Sequence, residues 1–377
     1  MNKIYIILFL LLTFITNAQQ VFIGKVINKE DKQPVPYIVV LIEGTSTYQI
    51  SNEEGTFSFP FEQVQNKNLL IQDSYYTSKQ IQILNHNKLE IELEPKVTTL
   101  EEIIVSNKSL KDQVNSILEA PVNSIEKKIK LESYYIENIY NKNQLMKTAD
   151  GLVDFYLFDK KKNYVNTKIK QVRIREKNKD TLANFIGAAL KPSDFAEGVI
   201  SLNRIKKTIK GNNYDHHITA NTIGDQNVQT LYFSPKEGVT DDLLYKGKIV
   251  YVAQTNQILE ISYDLVKEQS NLNLKHKNLL IFKLKVNDFS ISAKYNLINN
   301  INLITYSRLK FDINVIYAKK DLDFNSESIM YINNVQELPE QKYDKKFFND
   351  KTLVSFGNKH ETNFWKLEPY KNWEIQF

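Results

Sequence analysis

Histidine and cysteine supply most metal ligands and many catalytic groups, and in this chain they form no recognisable site. The chain has no cysteine, and its five histidines are His86, His216, His217, His276 and His360. A catalytic zinc site needs three protein ligands and one open position. No histidine begins a His-x-x-Glu or a His-Glu-x-x-His motif. We therefore expect neither a zinc-dependent hydrolase centre nor a thiol nucleophile.

The adjacent pair His216 and His217 is the only histidine cluster in the sequence. Neighbouring residues of a strand point to opposite faces of its sheet, so the two imidazoles could not easily bind one metal ion. We interpret both as ordinary strand or surface histidines.

Other catalytic motifs are missing from the sequence too. It contains no Gly-x-Ser-x-Gly turn for a serine nucleophile and no glycine-rich phosphate loop. Paired carboxylates occur at Glu53-Glu54 and Asp241-Asp242, where they are typical of turns. The sequence thus predicts no catalytic residue, no cofactor-binding residue, no metal ligand and no cofactor. We expect a protein that is not an enzyme.

Charge is spread along the chain rather than concentrated. The 49 lysines and arginines against 44 acidic residues give a formal net charge of +5. The densest basic runs are Lys160 to Lys162 and Lys345-Lys346, which we interpret as solvated loops. A nucleic-acid-binding protein would show a concentrated basic face, so nucleic acid is not an expected partner.

The N-terminus has the order of a secretory signal. Lys3 supplies a positive charge, the run from Ile4 to Ile15 is almost wholly apolar, and Ala18 is a small residue suited to cleavage. The apolar run is shorter than the ~20 residues of a membrane-spanning helix, and no cysteine follows it for lipid attachment. We expect residues 1–18 to be a signal peptide. The mature protein, with a charge of 5 − 1 = +4, would lie in the periplasm or at the outer membrane.

Residues 19–95 have the pattern of a small β-sandwich. Seven short apolar segments alternate with turn residues, as in such folds. Gly55 lies in a predicted hairpin turn where its backbone can take positive φ. Phe57 and Phe59 alternate with polar neighbours and are expected on one face.

Residues 96–130 are predicted to be a linker followed by a helix. Leu110, Val114, Ile117 and Leu118 recur at helical spacing. Pro121 should end or kink this helix, and a second short helical piece is expected to continue to Lys130.

Residues 131–377 alternate with period two and predict a larger antiparallel sheet, with residues 181–205 helical or irregular. The clearest hairpin runs from Gly247 to Lys267. Its second strand should place an apolar set on one face, beneath the predicted helix, and a polar set on the other face, towards water. The apolar set is Leu259, Ile261, Tyr263 and Leu265, and the polar set is Glu260, Ser262 and Asp264.

Several motifs of the first domain carry a family resemblance. The matching segments are Gly24 to Val26, Pro34 to Pro36, Ile38 to Leu41, Thr45, Asn52 to Phe57, Ser74-Tyr75 and Leu100 to Val105. In this pattern the chain resembles the carboxypeptidase-regulatory-like domain, a transthyretin-like sandwich. In Bacteroidetes that domain precedes many envelope proteins and TonB-dependent receptors. The resemblance implies an envelope location and a sandwich fold.

The remainder resembles, more loosely, a group of envelope proteins of unassigned function that carry this domain. The matches are Tyr134 to Glu137, Tyr245 to Ile249 and Phe364-Trp365. The arginine of the group's Phe-Tyr-Arg-Glu strand is absent, since Ile136 stands there. This resemblance implies an architecture but no reaction.

The sequence therefore predicts a mainly β protein. An N-terminal Ig/transthyretin-like β-sandwich is followed by a larger antiparallel β domain with helical insertions. The leading functional hypothesis is a non-catalytic envelope protein with a binding or assembly role. Its partner would be an envelope protein or an apolar ligand, at the periphery of the outer membrane. Two alternatives stay open: a lipid or lipoprotein carrier, marked by a deep apolar cavity, and an undetected hydrolase.

Overall fold

The protein is mainly β, as predicted. The computed structural model describes residues 20–84, 88–97, 102–103, 110–141, 143–158, 165–176, 191–209, 212–239, 243–266, 282–317, 320–339 and 343–360. The expected signal peptide, His86, His276, Lys160 to Lys162, Asp241-Asp242 and Phe364-Trp365 lie outside these residues.

The N-terminal region is a sandwich of two small sheets, which confirms the predicted seven strands. The strands are β1 (Val21–Asn28), β2 (Val39–Ile42), β3 (Tyr48–Ile50), β4 (Thr56–Pro60), β5 (Asn68–Ile71), β6 (Lys79–Gln82) and β7 (Lys88–Leu93). They form one sheet of order β4-β1-β7 and another of order β3-β2-β5-β6. One short helix, α1 (Phe61–Val64), follows β4 directly.

The turn before β4 behaves as the sequence predicts. Gly55 has a φ of +72°, and a Cβ at this position would lie 2.4 Å from the carbonyl oxygen of Val26. Only glycine meets both conditions without strain. Phe57 and Phe59 are buried together in the sandwich core, with ring centroids 6.0 Å apart.

A third and much larger sheet has eleven strands among the described residues, and its ladders are antiparallel throughout. Its order is β11-β10-β9-β18-β17-β16-β15-β14-β13-β12-β8. The strands are β8 (Glu102–Ile103), β9 (Ile129–Asn141), β10 (Gln144–Leu157), β11 (Val165–Glu176), β12 (Tyr214–Ile223), β13 (Gln226–Pro235), β14 (Tyr245–Val252), β15 (Ile258–Leu265), β16 (Phe282–Ile298), β17 (Ile301–Tyr317) and β18 (Lys320–Glu337).

Helices cover one side of this sheet, which we call the helix face. They are α2 (Leu110–Asn123), α3 (Pro192–Val199), α4 (Asn203–Ile209) and α5 (Leu353–Phe356). The apolar stripe of α2, with Val114, Ile117 and Leu118, joins the same core as Ile261 and Tyr263. The predicted cover of the 247–267 hairpin by this helix is therefore confirmed.

Two local predictions are wrong, and the place where α2 ends differs slightly from the expected one. The helix α2 passes Pro121 and ends two residues later, at Asn123. The strand β9 begins at Ile129, where a second helical piece was expected. Leu259 does not share a face with Ile261. The ladder pairs Val250 with Glu260 and Tyr251 with Ile258, so Leu259 is an extra, bulged residue that packs into a separate cluster on the opposite side. A bulge of this kind breaks the period-two pattern.

The C-terminal segment protects the free edge of the sheet. Asn349 donates hydrogen bonds to the backbone of β11 and accepts one from it. The backbone of Lys359 pairs with that of Val172. An edge strand left bare would be a template for unwanted pairing.

Among the described residues, no helix is both long and apolar enough to cross a membrane.

Candidate binding site

The side of the large sheet opposite the helices, which we call the outer face, divides into a covered and an uncovered part. The covered part carries the sandwich. The ring of Tyr37 stacks on that of Tyr306 in β17, with centroids 3.7 Å apart and planes 15° from parallel. Tyr37 adopts a φ of +64°, which an L-residue adopts at a cost.

A charged junction lies beside this stack. Glu53 of the sandwich accepts hydrogen bonds from the Tyr37 hydroxyl at 3.2 Å and from Nη1 of Arg308 at 3.3 Å. Arg308 also donates from Nε to Glu327 at 2.5 Å. Partial burial opposes protonation of Arg308, yet the carboxylate of Glu327 raises its pKa above the usual value. One arginine therefore links the sandwich to the large sheet.

Apolar packing reinforces the junction. Val39, Tyr48 and Ile50 of the sandwich belong to the core cluster of the large sheet rather than to the sandwich's own core. Further along, Tyr75 packs against the small cluster that holds Leu259 and Val250. The sandwich is thus fastened at several points along the strands. The sandwich therefore covers this part of the outer face.

The uncovered part carries two rows of polar side chains that cross neighbouring strands in register. We call this part the open polar face. The first row is His217, Tyr232, Lys248, Ser262, Ser292 and Arg308, on β12 to β17. The second row is Lys246, Asp264, Ser290 and Lys310, on β14 to β17. With strands ~4.8 Å apart, five spacings make the first row about 24 Å long.

A groove of about 390 Å³ lies at the β17 end of the open polar face. Its lining residues are Tyr140, Asn143, Asp288, Ser290, Arg308, Lys310, Phe311, Asp312, Asn325, Ser326 and Glu327. Both signs of charge, amides, hydroxyls and two aromatic rings are present. Because Arg308 belongs both to this groove and to the sandwich junction, the docked sandwich borders the groove.

A second groove, of about 360 Å³, lies at the β12 end. His217 stacks on Tyr232 there, with centroids 4.7 Å apart, while Lys246, Lys248 and Asp264 surround the pair. Asp264 and Ser290 are cross-strand partners, so the two grooves adjoin. Both are open grooves lined mainly by polar and charged residues, unlike the deep apolar cavity expected of a carrier.

The open polar face gives way to a buried polar network on β18, β9 and β10. Glu327 pairs with Asn138, and Asn138 accepts a hydrogen bond from Thr148 at 2.9 Å. Nearby, Asp150 is fully buried and receives hydrogen bonds from Tyr134 at 2.7 Å and from Nη2 of Arg173 at 2.7 Å. These groups satisfy one another, as buried polar groups must.

The helix face contains one buried carboxylate of a different kind. Glu137 is 3% exposed and accepts hydrogen bonds from the backbone amides of Leu353 and Val354 at the start of α5. Burial raises its pKa to about 8, against the amides and Lys147, which act in the opposite direction.

The predicted histidine pair is separated by the strand, as expected. His217 lies on the open polar face, whereas His216 pairs with Phe233 and is half-buried, which lowers its pKa. Within the described ranges, no three His, Asp or Glu side chains converge as a metal site would require. The open polar face itself had no sequence signal, because its members come from six separate strands.

The sandwich is similar to a known domain family. Residues 22–105 match the CarboxypepD_reg-like domain. The match agrees with the resemblance drawn from the sequence motifs, and it covers the sandwich and the start of the linker. No curated protein matches the chain in sequence.

Two solved structures are similar to the chain at low identity and low TM-score. A DUF1329 family protein from Desulfovibrio piger is 12% identical, with a TM-score of 0.32, covering 64% of this chain and 98% of that one. A LolA superfamily protein from Nitrosomonas europaea is 10% identical, with a TM-score of 0.27, covering 63% of this chain and 97% of that one.

Proposed function

We propose that the protein is a non-catalytic cell-envelope protein that binds a partner protein on its open polar face. The observation that carries the proposal is the continuity of the two polar rows across β12 to β17. An uncovered sheet face of this length is a surface on which another chain can lie.

The chemistry of the open polar face favours a protein partner over an apolar ligand. Lys246 and Lys310 are exposed, and Asp264 stands between them along the second row. Alternating signs give specificity and register to a partner with complementary charges. Tyr232 adds an aromatic contact of the kind enriched at protein interfaces.

The sandwich contributes rigidity to this surface. Tyr37 and Glu53 bind it to β17 immediately beside the larger groove. Ligand sites occur preferentially at such domain boundaries. The partner would therefore contact the large sheet and the neighbouring edge of the sandwich together.

The carrier hypothesis has less support among the described residues. A carrier needs an apolar cavity between the sheet and the helices. Phe195 of α3 packs on Tyr135, and the hydroxyl of Tyr295 donates to the carbonyl of Val199, so these groups occupy space beneath the helix.

Capture from a solubilised envelope fraction tests the proposed function. The bait is the tagged mature protein, compared with Lys246→Glu/Lys310→Glu on the open polar face. The matched control is Lys88→Glu/Lys207→Glu, which reverses two exposed lysines elsewhere. We expect one polypeptide to be retained by the parent and the control and lost from the first variant. Equal retention by all three would contradict the proposal.

The envelope location is tested separately by N-terminal sequencing of protein from that fraction. A start at Gln19 is expected. An intact Met1 would contradict export.

A further inference from the structure

A cluster of five aromatic rings lies at a corner of the large sheet, away from the open polar face. Its members are Tyr156, Phe158, Tyr343, Phe347 and Phe348. Tyr156 is in contact with each of the other four, at centroid distances between 5.3 and 5.8 Å. Tyr156 is buried, but the four rings around it are half-buried and keep part of their surface in solvent.

Two separate parts of the chain build this corner. Tyr156 and Phe158 come from the end of β10, and the other three rings come from the segment around the 3-10 turn Lys345–Phe347. The turn is fixed by Asp344, whose side chain accepts a hydrogen bond from the backbone amide of Lys346 at 2.9 Å. The rings are therefore held in place rather than carried on a loose tail.

Lysines surround the rings. Nζ of Lys168 lies 3.4 Å from the centroid of Phe347, in cation–π contact. Lys345 and Lys346 are exposed and project from the turn between Tyr343 and Phe347. Asp154 accepts a hydrogen bond from the Tyr156 hydroxyl at 3.4 Å, but it is buried and paired with Lys170. The exposed charges of the turn are therefore Lys345 and Lys346 against Asp344. The corner combines half-exposed aromatic surface with an excess of positive charge.

We propose that this aromatic–basic corner docks on an anionic lipid surface. Tyrosine rings favour the depth of lipid headgroups, where one part of the ring is apolar and the other is wet. Phenylalanine rings add apolar surface that a membrane can bury. Lysines close to such a surface are attracted by the negative lipids. Burial of apolar area and attraction to anionic lipids both strengthen binding of this kind. This proposal does not depend on the open polar face.

Vesicle co-sedimentation of the purified mature protein tests the proposal. The vesicles contain phosphatidylethanolamine with phosphatidylglycerol, or phosphatidylcholine alone. We expect binding to the phosphatidylglycerol vesicles only, weakened when salt is raised, because salt screens exposed charges. Lys345→Glu/Lys346→Glu should weaken binding by roughly 30-fold or more. The control Lys88→Glu/Lys207→Glu makes the same change in net charge and should bind as the parent does.

All four lysines are exposed, so we expect each variant to fold. Thermal unfolding of each variant checks this. Phe347→Ala is a second test, because it removes a ring but no charge. It should weaken binding to the vesicles, while the effect of salt on the remaining binding should stay the same. The proposal is overturned if the parent does not sediment with anionic vesicles, or sediments equally with phosphatidylcholine. It is also overturned if both charge-reversed variants lose binding to the same extent, because net charge alone would then explain the result.

Discussion

Successive residues of each strand in the large sheet point alternately to the helix face and to the outer face. The two faces nevertheless differ in burial and in polarity. Tyr263, Ile291 and Leu309 form a buried row beneath the helices. Asp264 and Ser290, one position away from two of them, belong to the open polar face. Strand alternation thus places a buried core on one face and a polar surface on the other without a change of fold.

The outer face itself is divided by composition. The sandwich covers the part where Tyr306, Ile329 and Tyr331 are aromatic or aliphatic. It leaves uncovered the part where Lys246, Asp264, Ser290 and Lys310 occupy the equivalent positions. Burial of the apolar patch stabilises docking, whereas burial of charged side chains would cost free energy.

The largest contrast should come from placing the same charge on each face. Ile261→Asp puts an unpaired carboxylate into the helix-face core and should lower the free energy of unfolding by ~4 kcal/mol or prevent folding. The neighbouring Ser262→Asp places it on the open polar face beside Lys248 and should change stability by less than ~0.5 kcal/mol. Urea denaturation measures both, and similar losses in the two variants would mean that the faces are not distinct.

A smaller effect is expected where the sandwich covers the outer face. Tyr306→Ala removes the ring on which Tyr37 stacks and should cost ~3 kcal/mol. Tyr232→Ala, on the uncovered part, should cost ~1 kcal/mol or less. Differential scanning calorimetry gives both values. If Tyr306→Ala unfolds like the parent, the stack does not hold the sandwich in place.

The buried carboxylate of the helix face predicts a pH dependence. The pKa of Glu137 is raised from about 4.5 to about 8, so the folded protein holds a proton that the unfolded chain releases within this range. The contribution of Glu137 to the free energy of unfolding therefore falls as pH rises from about 4.5 to about 8, and does not change at higher pH. Glu137→Gln should flatten that slope and stabilise the protein at pH 8 by ~2 kcal/mol.

The matched change on the other face should have the opposite sign. Glu327→Gln removes the closer of the two carboxylates that bind Arg308, leaving only Glu53, and should destabilise the protein at pH 8. Urea denaturation between pH 5 and pH 8 compares the two variants. A parent whose stability rises over this range, with no change in Glu137→Gln, would contradict the account of Glu137.

The sequence predicts the elements better than their assembly. Val114, Ile117 and Leu118 mark a helix, and Gly55 marks a turn, because each depends on neighbours a few positions away. The bulge at Leu259 depends on a register that only the partner strand β14 defines. A period-two pattern therefore placed that residue on the wrong face.

The open polar face could not be predicted because its chemistry exists only across strands. Lys246 and Lys310 are ordinary surface lysines in the sequence, and Ser290 between them carries no signal. The junction of Glu53 with Arg308 joins two domains and is likewise invisible in the sequence. The predicted domain boundaries at residues 95 and 130 stay predictions.

In the proposed function, a partner binds the outer face where that face is open, while the helix face is core. Because the chain has no cysteine, single-cysteine variants report on each face directly. Ser290→Cys lies on the open polar face in the larger groove, and Ala293→Cys lies beneath the helices. We predict rapid maleimide labelling of the first and slow labelling of the second in purified protein, and protection of the first when solubilised envelope fraction is added. Equal labelling of Ser290→Cys with and without the envelope fraction would contradict the claim.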